Sequence, residues 1–520
     1  MPRFFNTTGP CDPARHYMLP PRARLPDLLP FVEQQLYFVV HAARQTGKTT
    51  AMRAFAEELR AAGTVALCVS LAAARGIDET ASAEMLWLNA IHDGGAELDE
   101  PLRPPSAAPW TGHTAGTRLR SYLMRWSAAV APRAVVLFLD DADGVGGPAL
   151  LSLLAQLRAG FMDRGPGRFP VCLALIGELD LSHYRAHDRQ GAPFSAVDAF
   201  NIRADTLSIR PFTPKEVREL LDQHHRETGQ PFTPEAAERV YHWGQGQAAL
   251  TDLLADRVTQ KITPVRTLSI TAACIDRAVE DILQAEDGAR LSVTDWLWRP
   301  AVAPVLQALL LGDQTLDYSG ADFDQVVGIG LGQHGAHKAE IANPLYRELF
   351  IRALLGPTLA VLPEAWWPWK TAQGGLDMPV LIAAFLTWWR ENAEMLERRA
   401  DRGYLEALPH ITFMAFLQKV VNGGGRVTRE FAGARGAIDL LVEYCGERHV
   451  IELKRVRPAH DAPARVREAG VRQLCRYLDT VGERHGWLLI FDQREGRTWE
   501  ERLWAEELEV DGRMLHLRGA

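Results

Sequence analysis

The chain has 520 residues, 47% of them hydrophobic and 23% charged, with a formal net charge of −8; that length exceeds one hydrophobic core and predicts about three domains of ~100 to 200 residues. The composition excludes a fibrous or disordered chain, and the acidic balance leaves any nucleic-acid contact to a local basic surface. No apolar run approaches the ~18 residues of a membrane span and Met1 to Phe5 lacks the apolar stretch of a signal peptide, so the expectation is a cytoplasmic protein without a membrane partner.

In chain order, Leu36-Tyr37-Phe38-Val39-Val40 is a short β-rich apolar run that predicts a buried parallel strand. A helix is predicted over 49–59. Further apolar runs at 64–69, 134–139 and 171–176, separated by helix-like stretches, predict a covered parallel α/β sheet within residues 1–210. The strand runs stop near Arg210, and a helical segment over 211–290 opens with Thr213 as N-cap and Pro214 in the first turn; Thr233 and Pro234 repeat that signal. Residues 291–355 read as a helix-rich unit compatible with a winged helix. Gly356, Pro357, Pro363, Pro368 and the Gly374-Gly375 pair predict a linker over 356–374, and a last domain over 375–520 starts with an amphipathic helix near Asp377. The six cysteines, Cys11, Cys68, Cys172, Cys274, Cys445 and Cys475, form no C-x-x-C pair and read as small buried hydrophobes.

Directly after the first strand, Ala42-Ala43-Arg44-Gln45-Thr46-Gly47-Lys48-Thr49, continued by Thr50, fits the phosphate-loop pattern G-x-x-x-x-G-K-[ST] with alanine in place of the first glycine. Such a loop turns backbone N–H groups and a helix N-terminus towards phosphate, with Lys48 reaching the β and γ phosphates of ATP and the Thr49 hydroxyl on Mg²⁺. The third strand ends in Leu139-Asp140-Asp141-Ala142-Asp143. Asp140 is the expected second metal residue, and Asp141 stands where a glutamate usually orients the attacking water. Aspartate is one methylene shorter, so slow hydrolysis is expected.

On these motifs the segment resembles the P-loop ATPases of the origin-recognition and STAND group. The resemblance implies a P-loop NTPase sheet followed by a helical lid and a winged helix. Gly244-Gln245-Gly246-Gln247-Ala248-Ala249-Leu250 is similar to the group's G-x-P lid motif, with Ala248 where proline is usual. The resemblance also points to His16 through Pro21 as a segment enclosing the base. An arginine finger supplied in trans would imply a homo-oligomer, but nothing in the spacing of Arg158, Arg203 and Arg210 selects one.

Towards the C-terminus, residues 437–444 and 449–456 are two β-like runs joined by Cys445-Gly446-Glu447-Arg448, which predicts a hairpin. With two central residues, either Cys445-Gly446 or Gly446-Glu447, Asp439 falls opposite Glu452 or Lys454 on one face; a three-residue loop breaks that parity. Two carboxylates and a lysine suit metal-assisted phosphodiester hydrolysis, the carboxylates holding the ion and lysine meeting charge at phosphorus. Asp439 followed by Glu452-Leu453-Lys454 resembles the D...E-x-K site of the PD-(D/E)XK nucleases, and Gln473 with Tyr477 matches the Q-x-x-x-Y helix motif of their RecB-like branch. The resemblance implies an α/β nuclease domain with catalytic Asp439, Glu452, Lys454, Gln473 and Tyr477, Asp439 and Glu452 holding Mg²⁺ or Mn²⁺, and DNA as partner. Arg429 through Gly436 is similar to the glycine-containing approach to the metal aspartate, and Glu430 is a further ligand candidate.

Arg448, Arg455, Arg457, Arg465, Arg467, Arg472 and Arg476 form the expected local basic surface. Trp366, Trp367, Trp369, Trp388 and Trp389 read as packing residues rather than base-stacking ones. Fusions of the two modules are associated with mobile elements and defence against foreign DNA, and that association alone implies a biological role. The leading expectation is an ATP-controlled DNA nuclease. Its rivals are an ATP-dependent DNA or partner adaptor whose nuclease-like domain does not cleave, and an ATPase scaffold sensing protein or nucleotide.

Overall fold

A computed structural model of the chain describes residues 3–178, 185–187, 193–195, 200–284, 293–300, 302–311, 320–334, 339–361, 369, 371, 374–399, 409, 412–414, 416–417, 425–433, 436–456, 462–494 and 496–520. Contacts divide it into two compact units, Met1–Leu349 and Phe350–Ala520.

The first unit runs α1 (Leu29–Glu33), β1 (Tyr37–His41), α2 (Lys48–Ala61), β2 (Val65–Ser70), α3 (Thr80–Gly94), α4 (Arg118–Ala129), β3 (Val135–Asp140), α5 (Gly147–Phe161) and β4 (Cys172–Gly177). A small hairpin of β5 (Arg185–His187) and β6 (Pro193–Ser195) precedes β7 (Arg203–Ser208). One parallel sheet forms in the order β2-β3-β4-β1-β7. Alternation along the strands sends Tyr37, Val39, Leu67 and Leu137 to a core shared with Trp87 and Trp126. Their neighbours Phe38, Val40, Cys68 and Phe138 enter a second core with Met52 and Phe55 of α2. Both faces are therefore covered, as a parallel sheet requires. The sequence predicts four of these strands. The fifth, β7, lies at the sheet edge with Leu207 as its buried residue, so it lacks the continuous apolar run that reveals a central strand.

The helical segment comprises α6 (Pro214–Thr228), α7 (Pro234–Gly244), α8 (Ala248–Arg257) and α9 (Ala272–Gln284). Thr213 and Glu216 form a reciprocal capping box at the start of α6, and Thr233 caps α7. Then come α10 (Ala303–Leu311), α11 (Ala321–Gly328), an antiparallel pair β8 (Gly332–His334) and β9 (Ala339–Ile341), and α12 (Pro344–Val361). Helix α12 continues through Gly356 and Pro357, beyond the point where the sequence predicts a linker. A proline removes one helical hydrogen bond and does not by itself dictate where an apolar helix ends. Trp366, Trp367, Pro363 and Pro368 lie outside the described residues.

The second unit contains α13 (Met378–Arg399), β10 (Gly425–Gly433), β11 (Gly436–Tyr444), β12 (Glu447–Val456), α14 (Pro463–Val481), β13 (His485–Asp492), α15 (Trp499–Arg502), β14 (Ala505–Val510) and β15 (Arg513–Gly519). Its mixed sheet has the order β10-β11-β12-β13-β15-β14. One face packs Val450, Leu488 and Ile490 against Leu474 and Leu478 of α14. On the other, Phe385 and Trp389 of α13 meet Phe491, ring centroids 6.4 and 6.1 Å apart. Trp388 and Trp389 are buried.

The cysteines depart from the sequence expectation. Cys68 and Cys172 are buried, whereas Cys11, Cys274 and Cys475 are partly exposed and Cys445 is exposed, because its place in a hairpin turn outweighs its apolar character. Among the described residues no helix is long and apolar enough to cross a membrane.

Candidate functional site

The loop from Ala42 to Gly47 carries the chain from β1 to the N-terminus of α2. Gln45 and Gly47 take left-handed conformations, φ 57° and 94°. A Cβ at position 47 would also stand 2.8 Å from Arg24 Nη2 and push that side chain aside, but it is the backbone conformation that favours glycine there. Ala42, which departs from the sequence pattern, is not among the left-handed residues and needs no glycine. Lys48 Nζ donates to the carbonyls of Ala42 at 2.6 Å and Ala43 at 2.8 Å, and the Thr46 hydroxyl donates to Ala43 O at 2.9 Å. Burial lowers the Lys48 pKa, opposed by Glu178, Asp140, Asp143 and Asp141.

These carboxylates gather at the C-terminal ends of β3 and β4. Thr49 Oγ1 donates to Asp140 Oδ2 at 2.5 Å, and Asp140 Oδ1 accepts from Asp141 N at 3.0 Å. Burial raises the pKa of Asp140, with the Thr49 bond opposing. Asp141 is itself left-handed at φ 56°; its Oδ2 accepts from Ser70 Oγ at 2.5 Å, and Arg75 lies 3.7 Å from its other oxygen. Asp143 accepts from Glu178 N at 3.0 Å. Glu178, which pairs with Arg44, is the residue that sequence reasoning misses. Its signal was a carboxylate directly after the last residue of a parallel strand, where such sheets bind ligands. A hydroxyl beside a buried carboxylate offers hard oxygen donors that fit Mg²⁺ once substrate phosphates supply further ligands. Among the described residues no group of three or more His, Cys, Asp or Glu side chains forms a metal cage.

A cavity of about 260 Å³ opens on this loop. Gly47, Lys48, Thr49 and Thr50 line it together with the N-terminal segment and Phe212, Leu220, Ala248, Ala249 and Asp252 of the helical segment. Of the segment expected to enclose a base, Tyr17 through Pro21 line the cavity, whereas His16 Nδ1 accepts from Asp12 N at 2.9 Å. Cys11 N donates to Thr50 Oγ1 at 3.1 Å, and Arg24 Nη2 donates to Thr46 O at 2.5 Å. Burial pulls the Arg24 guanidinium down to about 10, which leaves it charged at neutral pH. The N-terminal segment is tied to α6 by Arg3 with Glu227 at 3.0 Å and by Gln223 Nε2 donating to Met18 O at 2.9 Å.

In the second unit, β11 and β12 pair from Tyr444 opposite Glu447 to Leu440 opposite Ile451. Cys445 and Gly446 are thus the two turn residues, both with positive φ, 48° and 86°, as a tight hairpin turn demands. The next residue along β11 is Asp439 and the next along β12 is Glu452. Of Asp439 the structure describes the backbone only, and the same holds for Glu430; Ala434 and Arg435 lie outside the described residues. Glu452 is fully buried, with Lys454 Nζ 2.5 Å from its Oε1. Lys454 Nζ also donates to Gln473 Oε1 at 2.9 Å, and Gln473 Nε2 donates to the Tyr477 hydroxyl. Helix α14 comes this close because of Gly470, where a Cβ would stand 2.8 Å from Leu488 and 3.2 Å from Lys454.

The basic surface is weaker than the sequence predicts. Arg448 pairs with Glu483, Arg467 with Glu506 and Arg472 with Glu468, acids that are distant or one helical turn away in sequence and so easily discounted. Arg457 lies outside the described residues.

No protein-family model matches the chain, and no curated protein matches it. Among solved structures, the Walker-type ATPase PABY2304 of Pyrococcus abyssi matches with 13% identity over 66% of this chain and 99% of that one, TM-score 0.47. The RuvB Holliday junction branch migration motor of Thermotoga maritima matches with 15% identity over 62% and 90%, TM-score 0.32. The ORC2 protein of Aeropyrum pernix, in ADPNP–ADP complexes, matches with 12% identity over 62% and 88%, TM-score 0.37.

Proposed function

We propose that this chain binds and hydrolyses ATP and thereby controls a Mg²⁺-dependent DNA nuclease in its second unit, in the cytoplasm. One observation carries the first half: Lys48, a half-buried ammonium at the N-terminus of α2, is held by loop carbonyls in a cavity that a polyphosphate can enter. Phosphate there meets backbone N–H groups and the positive end of the helix dipole. Thr49 and Asp140 would hold Mg²⁺, which when bound neutralises charge on the β and γ phosphates. Asp141 would orient the attacking water, from a shorter side chain than glutamate and one already bonded to Ser70; slow turnover follows.

The nuclease half is supported by the bonded series Glu452, Lys454, Gln473 and Tyr477. Asp439 and Glu452 would hold Mg²⁺ or Mn²⁺, which when bound lowers the pKa of a water for attack on phosphorus. Lys454, fixed by Gln473 and Tyr477, meets the charge that develops there. Action against foreign DNA, and assembly into a homo-oligomer, belong to this reading through the resemblance alone. One observation favours an adaptor that holds DNA without cutting it: Lys454 is closed onto Glu452 at 2.5 Å.

The test is cleavage of plasmid, linear and single-stranded DNA with Mg²⁺ or Mn²⁺, with and without ATP. Cleavage that Asp439→Ala abolishes and that ATP or Lys48→Ala alters is the expected result. No metal-dependent cleavage of any substrate would leave the adaptor.

A further inference from the structure

Besides the cations Lys48 and Arg24, the described lining of the cavity on the phosphate loop includes a carboxylate, Asp252, that phosphate binding does not use. Asp252 sits on α8 one helical turn after Ala248, so both face the same way, and both line the cavity. Asp252 is 8% exposed, and its Oδ1 has no hydrogen-bond partner among the described residues. A buried oxygen left without a donor costs stability in the empty protein, and such a group in a ligand cavity is where a ligand N–H recovers the loss.

Which end of a nucleotide meets it follows from charge. The carboxylates acting on Lys48 are Glu178, Asp140, Asp143 and Asp141, whereas Asp252 acts on Arg24 and on Cys11 of the N-terminal segment. Asp252 therefore faces the wall of the cavity formed by α8 and the N-terminal segment rather than Lys48, and an acceptor oxygen there repels phosphate and suits a ligand N–H.

We propose that Asp252 reads the nucleobase, accepting the exocyclic 6-amino group of adenine, and that it selects adenine over guanine. This rests on the nucleotide reading above and names the discriminating residue within it. Adenine carries at position 6 an N–H donor and guanine an oxygen acceptor, so guanine in the same pose would set acceptor against acceptor.

The experiment is equilibrium binding to the full chain of ATP, GTP, 2′-deoxy-ATP and purine riboside triphosphate, which lacks the 6-amino group, for wild type, Asp252→Ala and Asp252→Asn. Wild type should prefer ATP to purine riboside triphosphate by about tenfold, the effect of one buried hydrogen bond. Asp252→Ala should bind both at the weaker level, and Asp252→Asn, whose amide still accepts, should keep the preference and show that the fold survives. An ATP preference unchanged in Asp252→Ala, or a loss confined to the ATP against 2′-deoxy-ATP ratio, would overturn the assignment while leaving the nucleotide site standing. If wild type binds none of the four and Lys48→Ala changes nothing, the nucleotide reading itself falls.

Discussion

Each unit sets one lysine beside carboxylates, and the two lysines are held in opposite ways. Lys48 is half-buried and bonded to two backbone carbonyls, with Glu178, Asp140, Asp143 and Asp141 acting on it electrostatically. Lys454 is in direct contact with the fully buried Glu452 and is fixed on its other side by Gln473. A cation held by carbonyl dipoles keeps its charge for a polyanion, whereas one matched by a buried carboxylate is committed to that partner until something else takes the carboxylate. The first arrangement suits capture of phosphate, and the second ties stability of the unit to its site.

The largest expected effect tests that second statement. Lys454→Met leaves the buried Glu452 carboxylate without its ammonium and should destabilise the second unit by about 3 to 5 kcal/mol, read as a lowered unfolding transition of that unit. A transition unmoved by the change would mean that the pair contributes nothing to the fold. Lys48→Ala should behave differently. It removes charge-assisted bonds to phosphate and should weaken ATP binding on the order of 100-fold, with little change in thermal stability, because the carbonyls it satisfied lie beside a solvent-accessible cavity; titration with ATP and a melting curve separate the two.

A smaller effect probes how the loop is supported. Gly330, at φ 75°, sits where a Cβ would meet the Ala43 Cβ at 2.3 Å. Gly330→Ala should cost about 1 to 2 kcal/mol from the left-handed backbone alone and should weaken ATP binding by displacing Ala43, one of the two carbonyls that hold Lys48; unchanged affinity would show that the loop tolerates the displacement. The smallest effect concerns pH. Burial raises the folded-state pKa of Asp140 above the ordinary aspartate value, so the folded protein keeps this proton where the unfolded chain has lost it. Its contribution is therefore fully favourable below the unfolded value and declines as pH rises through the raised one. Asp140→Asn should remove that decline, making the nucleotide-free first unit more stable at neutral pH while lowering ATP turnover. A pH–stability profile parallel to wild type would contradict the assigned cause.

Local sequence carried much of this. The apolar runs of β1 to β4 are legible because a covered parallel strand must be apolar on both faces, and Thr213-Pro214 and Thr233-Pro234 announce helix starts because a cap is a contact between near neighbours. The loop from Ala42 to Thr50, the Asp140-Asp141 pair, Glu452-Leu453-Lys454 and the four-residue spacing of Gln473 and Tyr477 are equally local. The edge strand β7 and the continuation of α12 past Pro357 were not legible, since both depend on what lies beside the segment rather than within it.

What the sequence by itself determined, then, is the presence of a phosphate-loop pattern and of a hairpin bearing a carboxylate and a lysine two residues apart. Tertiary structure alone decided that the turn is Cys445-Gly446, which sets the facing register of β11 and β12, that Glu178 joins the carboxylates around Lys48, and that Asp252 enters the cavity from α8. The physical reason is common to all three. Register, electrostatic neighbourhood and cavity walls are relations between segments far apart in the chain, and they come into being only when burial of the apolar faces brings those segments together.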